Sequence, residues 1–206
     1  MLKRAFYICA LIAGLAGLGT SSARAVTIDV FAKANSSTGG AGALTGVFLT
    51  LGQAFTVSAG LDDLWSAGEL PRWSNADGLT ADRFATGTDE SGEAAGIKIG
   101  KDFGTWLPSP YTFSAPYGSL VGQIGAGAFF LVGTNFSNTA NASGQLALYY
   151  WDSNNSDNTG SIAATISASA VPGPIVGAGL PGLVMALGGL IAWRRRRMAA
   201  AKVLTR

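Results

Sequence analysis

The chain has 206 residues, of which 48% are hydrophobic and 13% charged, with 14 basic against 12 acidic side chains, one cysteine and no histidine. The missing histidine excludes Ser-His-Asp and Cys-His catalysis, imidazole general bases and histidine zinc sites. A single cysteine, Cys9, excludes an intrachain disulfide, so the fold must rest on its own core.

In chain order, the N-terminus reads as an export signal. Lys3 and Arg4 form a basic start, Ala5 to Leu18 an apolar stretch, and Ala23-Arg24-Ala25 carries small residues where a signal peptidase cuts. Cleavage after Ala25 leaves Val26 as the mature N-terminus and removes Cys9. Residues 1–25 are therefore expected to be a signal peptide.

The next segment has the rhythm of short strands and turns. Thr27 to Phe31 alternates, and Val47–Leu51 and Ala54–Val57 flank Gly52-Gln53. Leu120–Ile124, Phe129–Val132, Gln145–Trp151 and Ile162–Ile166 follow. No long amphipathic helical pattern interrupts them. This predicts an all-β, antiparallel β-sandwich over residues 26–167. The run Leu146 to Trp151 is apolar on both faces and should lie centrally in a sheet. Asn35–Gly42 and Asn75–Gly100 are rich in turn residues and are expected to be loops.

The acidic residues all fall in this segment. Between Val26 and Ala170 five basic residues face all 12 acids, a net charge of −7, with no basic patch. That argues against a nucleic-acid partner and suits divalent cations. Asp62-Asp63 and Asp89-Glu90 with Glu93 are the carboxylate sets a glycoside hydrolase would need. Adjacent acids in polar loops are more commonly just solvated, so the chain is expected to be no enzyme.

The most informative internal segment runs from Trp151 through Asp152, Asn154, Asn155, Asp157 and Asn158 to Gly160. Calcium takes six to eight oxygen ligands, and a loop of two aspartates and three asparagines can converge several. The spacing is not that of an EF-hand, and the same composition also fits a polar hairpin loop. Among the tryptophans, Trp65, Trp106 and Trp151 are expected in the core. Trp73, in a polar loop, is the candidate platform for stacking a sugar ring.

The tail carries Val171, Pro172, Gly173 and Pro174, then 19 uncharged residues from Ile175 to Trp193, then Arg194, Arg195, Arg196 and Arg197. As a helix the apolar stretch reaches about 28 Å, the thickness of a bilayer core, and the arginine block should stay cytoplasmic. The expected layout is a linker and motif at 168–174, a transmembrane helix at 175–193 and a basic tail at 194–206.

Two resemblances follow from these residues. The motif, apolar helix and arginine block together resemble a PEP-CTERM sorting signal. Gly173 stands where that family usually has glutamate, so the chain looks like a variant. The resemblance implies recognition by an exosortase-type sorting enzyme, insertion in the inner membrane with the sandwich in the periplasm, and delivery to the cell surface or extracellular matrix. Separately, Leu120–Gly125, the strand ending Leu148-Tyr149-Tyr150-Trp151-Asp152, and Asp157–Ser161 resemble the C-terminal half of the PA-I-type galactophilic bacterial lectins. Leu64–Gly68 resembles that family's loop near its metal. This implies a small jelly-roll-like sandwich binding one Ca2+ and, through it, a carbohydrate. Carried over by position, Asp152, Asp157 and Asn158 would supply side-chain oxygens, and Ala67 and a residue near Asn154 backbone carbonyls. Asn155 and, from its polar loop, Trp73 are the further candidates for contact with a ligand. The family's sugar-contacting histidine has no counterpart here, so galactose specificity does not transfer. The expected function is a calcium-binding, carbohydrate-binding surface or matrix protein; a purely structural matrix protein is the alternative, and a carboxylate glycosidase ranks last.

Overall fold

A computed structural model describes residues 25–109, 112–169, 185 and 187–195. The chain divides into two units, Met1–Ala170 and Val171–Arg206.

The described part of the first unit is built of strands. They are β1 (Ala25–Phe31), β2 (Ala43–Leu49), β3 (Ala54–Ala59), β4 (Trp65–Ser66), β5 (Trp73–Ser74), β6 (Arg83–Phe84) and β7 (Lys98–Gly100). After these come β8 (Thr105–Trp106), β9 (Ala115–Pro116), β10 (Ser119–Ile124), β11 (Phe130–Leu131), β12 (Asn135–Thr139), β13 (Gly144–Trp151) and β14 (Thr159–Ala168). One sheet runs β12-β3-β14-β4-β5, with β1 also paired to β14; a second runs β11-β10-β13-β2. Two small ribbons, β6-β7 and β8-β9, complete the set. Every pairing between these strands is antiparallel.

The two main sheets share one core, which makes the fold a sandwich. Val30, Val57, Ile162 and Ile166 of the first sheet and Leu120, Ile124, Leu146, Leu148 and Tyr150 of the second belong to a single buried cluster. β14 follows the period-two rule: Ile162, Ala164 and Ile166 are buried while the residues between them are not. β13 is buried on both faces, as its apolar run predicts. Leu146, Leu148 and Tyr150 face the core, and Trp151 belongs to a second cluster with Ala115 and Val121, packed by Trp106, Phe113, Phe129 and Tyr149. Paired on both edges, by β10 and β2, it occupies the central position its sequence called for.

Gly52-Gln53 does not close a hairpin within one sheet. β2 lies in the second sheet and β3 in the first, so this turn carries the chain from one layer to the other. Asn35–Gly42 is not a free loop either. Ser36 is fully buried and bridges to Tyr150. The polar stretch Asn75–Gly100 holds the β6-β7 ribbon, and β12 forms from a sequence, NFSNT, with no apolar alternation. Pairing to β3 overrides that weak local signal.

β1 begins at Ala25, paired to Ser167 of β14, one residue before the expected mature N-terminus. The rest of the expected signal peptide, including Cys9 and Ala23, lies outside the described residues, as do Val171, Pro172, Gly173, Pro174, Arg196 and Arg197. In the second unit residues 185 and 187–195 are helical. Met185, Leu187, Leu190, Ile191 and Trp193 are exposed there. Among the described residues no helix is long and apolar enough to cross a membrane; most of the expected span, Ile175–Trp193, lies outside them.

Candidate functional site

The site grows from the loop between β13 and β14, residues 152–158, which crosses from the second sheet to the first. β13 ends on buried Trp151 and delivers Asp152; β14 starts at Thr159 and holds Asn158 in place. Ala67 arrives because β4 pairs with the first residues of β14, Thr159 with Ser66 and Gly160 with Trp65. Two glycines permit that approach. Gly160 has φ +83, and a Cβ there would stand 3.1 Å from Trp65 Cα. Gly68 has φ +120, and a Cβ would stand 2.4 Å from Asp157 Oδ2.

Ala67, Asp152, Asn154 and Asp157 therefore line one cleft of about 390 Å3, with Phe103 and Tyr117 among its other walls. Asn158, next in the loop after Asp157, is 2% exposed. Its Nδ2 donates to the Ala32 carbonyl at 3.2 Å, which fixes the amide. Among the described residues its Oδ1 is then left buried with no hydrogen-bond partner. A buried acceptor in that state costs roughly 1–3 kcal/mol, a cost a fold rarely carries without a use for the atom.

Asp152 is the second stressed group. It is 5% exposed, and burial pushes its carboxyl up to about 6. The Ser153 N–H, donating at 2.7 Å, and the Asn158 amide pull the other way, and the Asp157 charge adds to the rise. Tyr150 Oη, also buried without a partner, is raised well above the usual phenol range by burial first and by Asp152 and Asp157 next. A buried carboxylate and an orphaned amide oxygen thus lie at one end of the fold, with the exposed Asp157 carboxylate at the cleft's edge, and a bound cation would relieve the buried pair.

Among the described residues no three His, Cys, Asp or Glu side chains gather in a way that could hold a metal ion. A cation here has to draw on neutral oxygens as well. The donors present are the carboxylates of Asp152 and Asp157, the Asn158 Oδ1 and the Ala67 carbonyl. All are hard oxygens, the donor type calcium takes, and they fit calcium better than a transition metal. Asn154 is exposed and braces the loop: its Nδ2 donates to Asp157 Oδ1 at 3.0 Å and its Oδ1 accepts from Ser156 N–H at 3.2 Å.

The structure does not bring every expected residue here. Asn155 turns away, its Nδ2 donating to the Lys33 carbonyl at 3.4 Å. Trp73 packs on Leu64, Ala85 and Ile99 and lines a different cleft with Asp82 and Arg83, so it cannot stack a ligand held by Asp152. The reason is β-pairing: Trp73 lies opposite Ser66 in the β4-β5 ribbon and faces the neighbouring β6-β7 region. Of the other tryptophans, Trp65 and Trp151 are fully buried. Two members of the carboxylate sets are held by hydrogen bonds. Asp63 Oδ2 accepts from the Ala163 N–H at 2.7 Å, and Asp89 is held down at about 2 by the Ser91 hydroxyl and the Thr86 N–H.

Three participants had no signal in the sequence. Ser37 Oγ bonds both the Asp152 N–H, at 3.2 Å, and the Asp152 carbonyl, at 3.3 Å. Lys33 Nζ donates to the Ser156 carbonyl at 2.9 Å. Arg72, at the end of the β4-β5 ribbon, donates from Nη1 to the Ala67 carbonyl at 3.3 Å and lies 3.5 Å from Asp157 Oδ2. The first two come from the β1-β2 connection, more than 110 residues upstream of their partners, beyond any local pattern.

No family model matches the chain, and no curated protein matches it. Among solved structures it is similar to an EclA N-terminal domain described as a PllA-like lectin, with a TM-score of 0.45 and 20% sequence identity, covering 69% of this chain and 95% of that one.

Proposed function

We propose that this chain is an exported, non-enzymatic protein whose β-sandwich binds one calcium ion in the Asp152 cleft and, through it, a carbohydrate. The observation that carries the reading is the Asn158 Oδ1, buried and unpartnered beside a buried carboxylate. Asp152, Asp157, Asn158 Oδ1 and the Ala67 carbonyl would hold the ion. Bound calcium would supply open coordination positions that vicinal sugar hydroxyls can fill. The protein's own part is to hold the oxygens in place, through Ser37, Lys33 and the β4-β14 pairing, and to offer the Phe103 and Tyr117 rings as apolar walls for a sugar's C–H face.

The C-terminal segment supports export and anchoring. Its helix is apolar on all sides, with Leu187, Leu190, Ile191 and Trp193 exposed, which suits lipid or a membrane enzyme rather than water. The arginines from 194 onward would hold the cytoplasmic leaflet. Processing by an exosortase-type enzyme at Val171–Pro174 is part of this proposal. Mass spectrometry of the protein from its native host tests it: a chain starting at Val26 and ending near Pro174 is expected, and an intact chain in the cytosol would overturn it.

The ligand reading is tested by titrating CaCl2 into the full chain in mild detergent. One site per chain, with thermal stabilisation that Asp152→Asn and Asn158→Ala remove, is expected. Absence of heat and of stabilisation would leave a ligand-free matrix protein.

A further inference from the structure

The Arg72 guanidinium already stands between two of the groups that would hold calcium. Its Nη1 is 3.3 Å from the Ala67 carbonyl and 3.5 Å from Asp157 Oδ2. It is a cation in a cation's place. Its hold is weak, because the two side chains are 42% and 41% exposed and an ion pair so open to water adds little. A divalent ion that also engages Asp152 and Asn158 would displace it.

Where Arg72 would then act is set by its other contact. Its guanidinium carbon lies 5.4 Å from the centroid of the Phe103 ring, and Lys101 Nζ lies 4.8 Å from the same centroid. Phe103 and Arg72 both line the Asp152 cleft. In a segment of net charge −7 with five basic residues, two of them meet over one aromatic ring at this cleft. Of the other three, Lys98 pairs with Asp82 at 2.6 Å, Lys33 braces the loop backbone and Arg83 lines other clefts. Positive charge is scarce in this domain, and two of its five basic residues stand beside the proposed sugar site. A planar guanidinium freed from Asp157 is built to take another carboxylate in the same fork geometry.

We propose that Arg72 is the specificity-determining residue of this cleft: it fills the cation position until calcium takes Asp157 and the Ala67 carbonyl, and then binds the carboxylate of an acidic, uronate-type saccharide, with Lys101 beside it. This rests on the calcium reading and names the class of sugar. Recognition is a plain exchange of ionic partners with no bond made or broken.

The test uses the full chain with CaCl2 at saturation in both cell and syringe, titrated with a galacturonate trisaccharide and separately with the neutral galactose trisaccharide. Binding of the acidic sugar at least about tenfold tighter than the neutral one is expected. Arg72→Ala should abolish that preference and raise calcium affinity several-fold, because a competitor has gone. Arg72→Lys should keep part of the preference. Equal affinity for both sugars, or calcium binding that Arg72→Ala fails to tighten, would overturn the proposal. If wild-type chain binds no calcium, the underlying reading fails instead. Preference for the acidic sugar that persists in Asp152→Asn without calcium would show Arg72 acting alone and would overturn the exchange.

Discussion

Gly68 and Asp157 fit only because Gly68 has no side chain: a Cβ there would lie 2.4 Å from Asp157 Oδ2, at a φ of +120. The contact sets how closely the Ala67–Gly68 backbone approaches the loop after β13. Gly68→Ala should lower stability by about 1–3 kcal/mol through backbone strain and displacement of Asp157, and should remove stabilisation by calcium. Gly46→Ala is the control. Gly46 also has positive φ, but nothing lies within 4 Å of its Cβ position. It should show a comparable backbone strain and keep the calcium response. Urea midpoints with chelator and with calcium separate the two.

Asp152 should show stability and function pulling apart. Its ionised carboxylate is buried, and burial is the largest reason its pKa stands near 6. At pH 7 the fold therefore bears the cost of an ionised group it would rather keep neutral. Asp152→Asn, neutral and of the same shape, should raise the urea-derived stability of the chelator-treated protein, on the order of 1–3 kcal/mol. The same substitution should end calcium binding. A fall in stability in chelator would mean the charge is compensated by something other than a cation.

Asp89 gives the opposite sign. Hydrogen bonds from Ser91 and Thr86 hold its carboxyl near 2, below the ordinary 3.8. A folded-state pKa below the unfolded one stabilises the fold above about pH 4, and that contribution is lost as pH falls from there toward 2. Asp89→Asn should thus be less stable than the parent at neutral pH, and the gap in urea midpoints should close between about pH 4 and 2. A gap that stays constant through that range would show that the loss comes from shape rather than charge.

Leu148 and Phe48 should differ sharply although both are large and apolar. Leu148 is fully buried between the sheets, whereas Phe48, on β2, is 72% exposed. Leu148→Ala should cost about 2–5 kcal/mol, the transfer loss plus the cavity left behind. Phe48→Ala should fall within about 0.5 kcal/mol of the parent, as surface changes usually do. Equilibrium unfolding by tryptophan fluorescence, with Trp65 and Trp151 as buried reporters, reads both.

These contrasts show where the sequence was informative. The doubly apolar run from Leu146 to Trp151 announced a central strand, because only a strand covered on both faces tolerates it. Asp152, Asp157 and Asn158 lie within one short polar stretch, so their shared place in the β13-β14 loop was legible. Trp73 misled because a polar neighbourhood in sequence says nothing about a ribbon folding over it; Leu64, Ala85 and Ile99 come from separate segments to cover it. Arg72 was missed for the same reason. Its partner Asp157 is 85 positions away, and only the pairing of β4 with β14 joins them. Local pattern reports what a strand buries, not which loops the sheet order sets side by side.

β14 gives the molecule a mechanical axis. Its first residue, Thr159, follows directly on Asn158 in the cleft, and its last, Ala168, opens toward the C-terminal segment. At about 3.4 Å per residue the ten residues from Thr159 to Ala168 span roughly 30 Å. Along that length the strand is held by hydrogen bonds to β1 over Ser161–Ser167 and to β3 over Ala164–Ala168. If the cleft grips a polymer as proposed and the segment after Ala168 is anchored, a pull along β14 would load those bonds in shear, all together rather than one at a time.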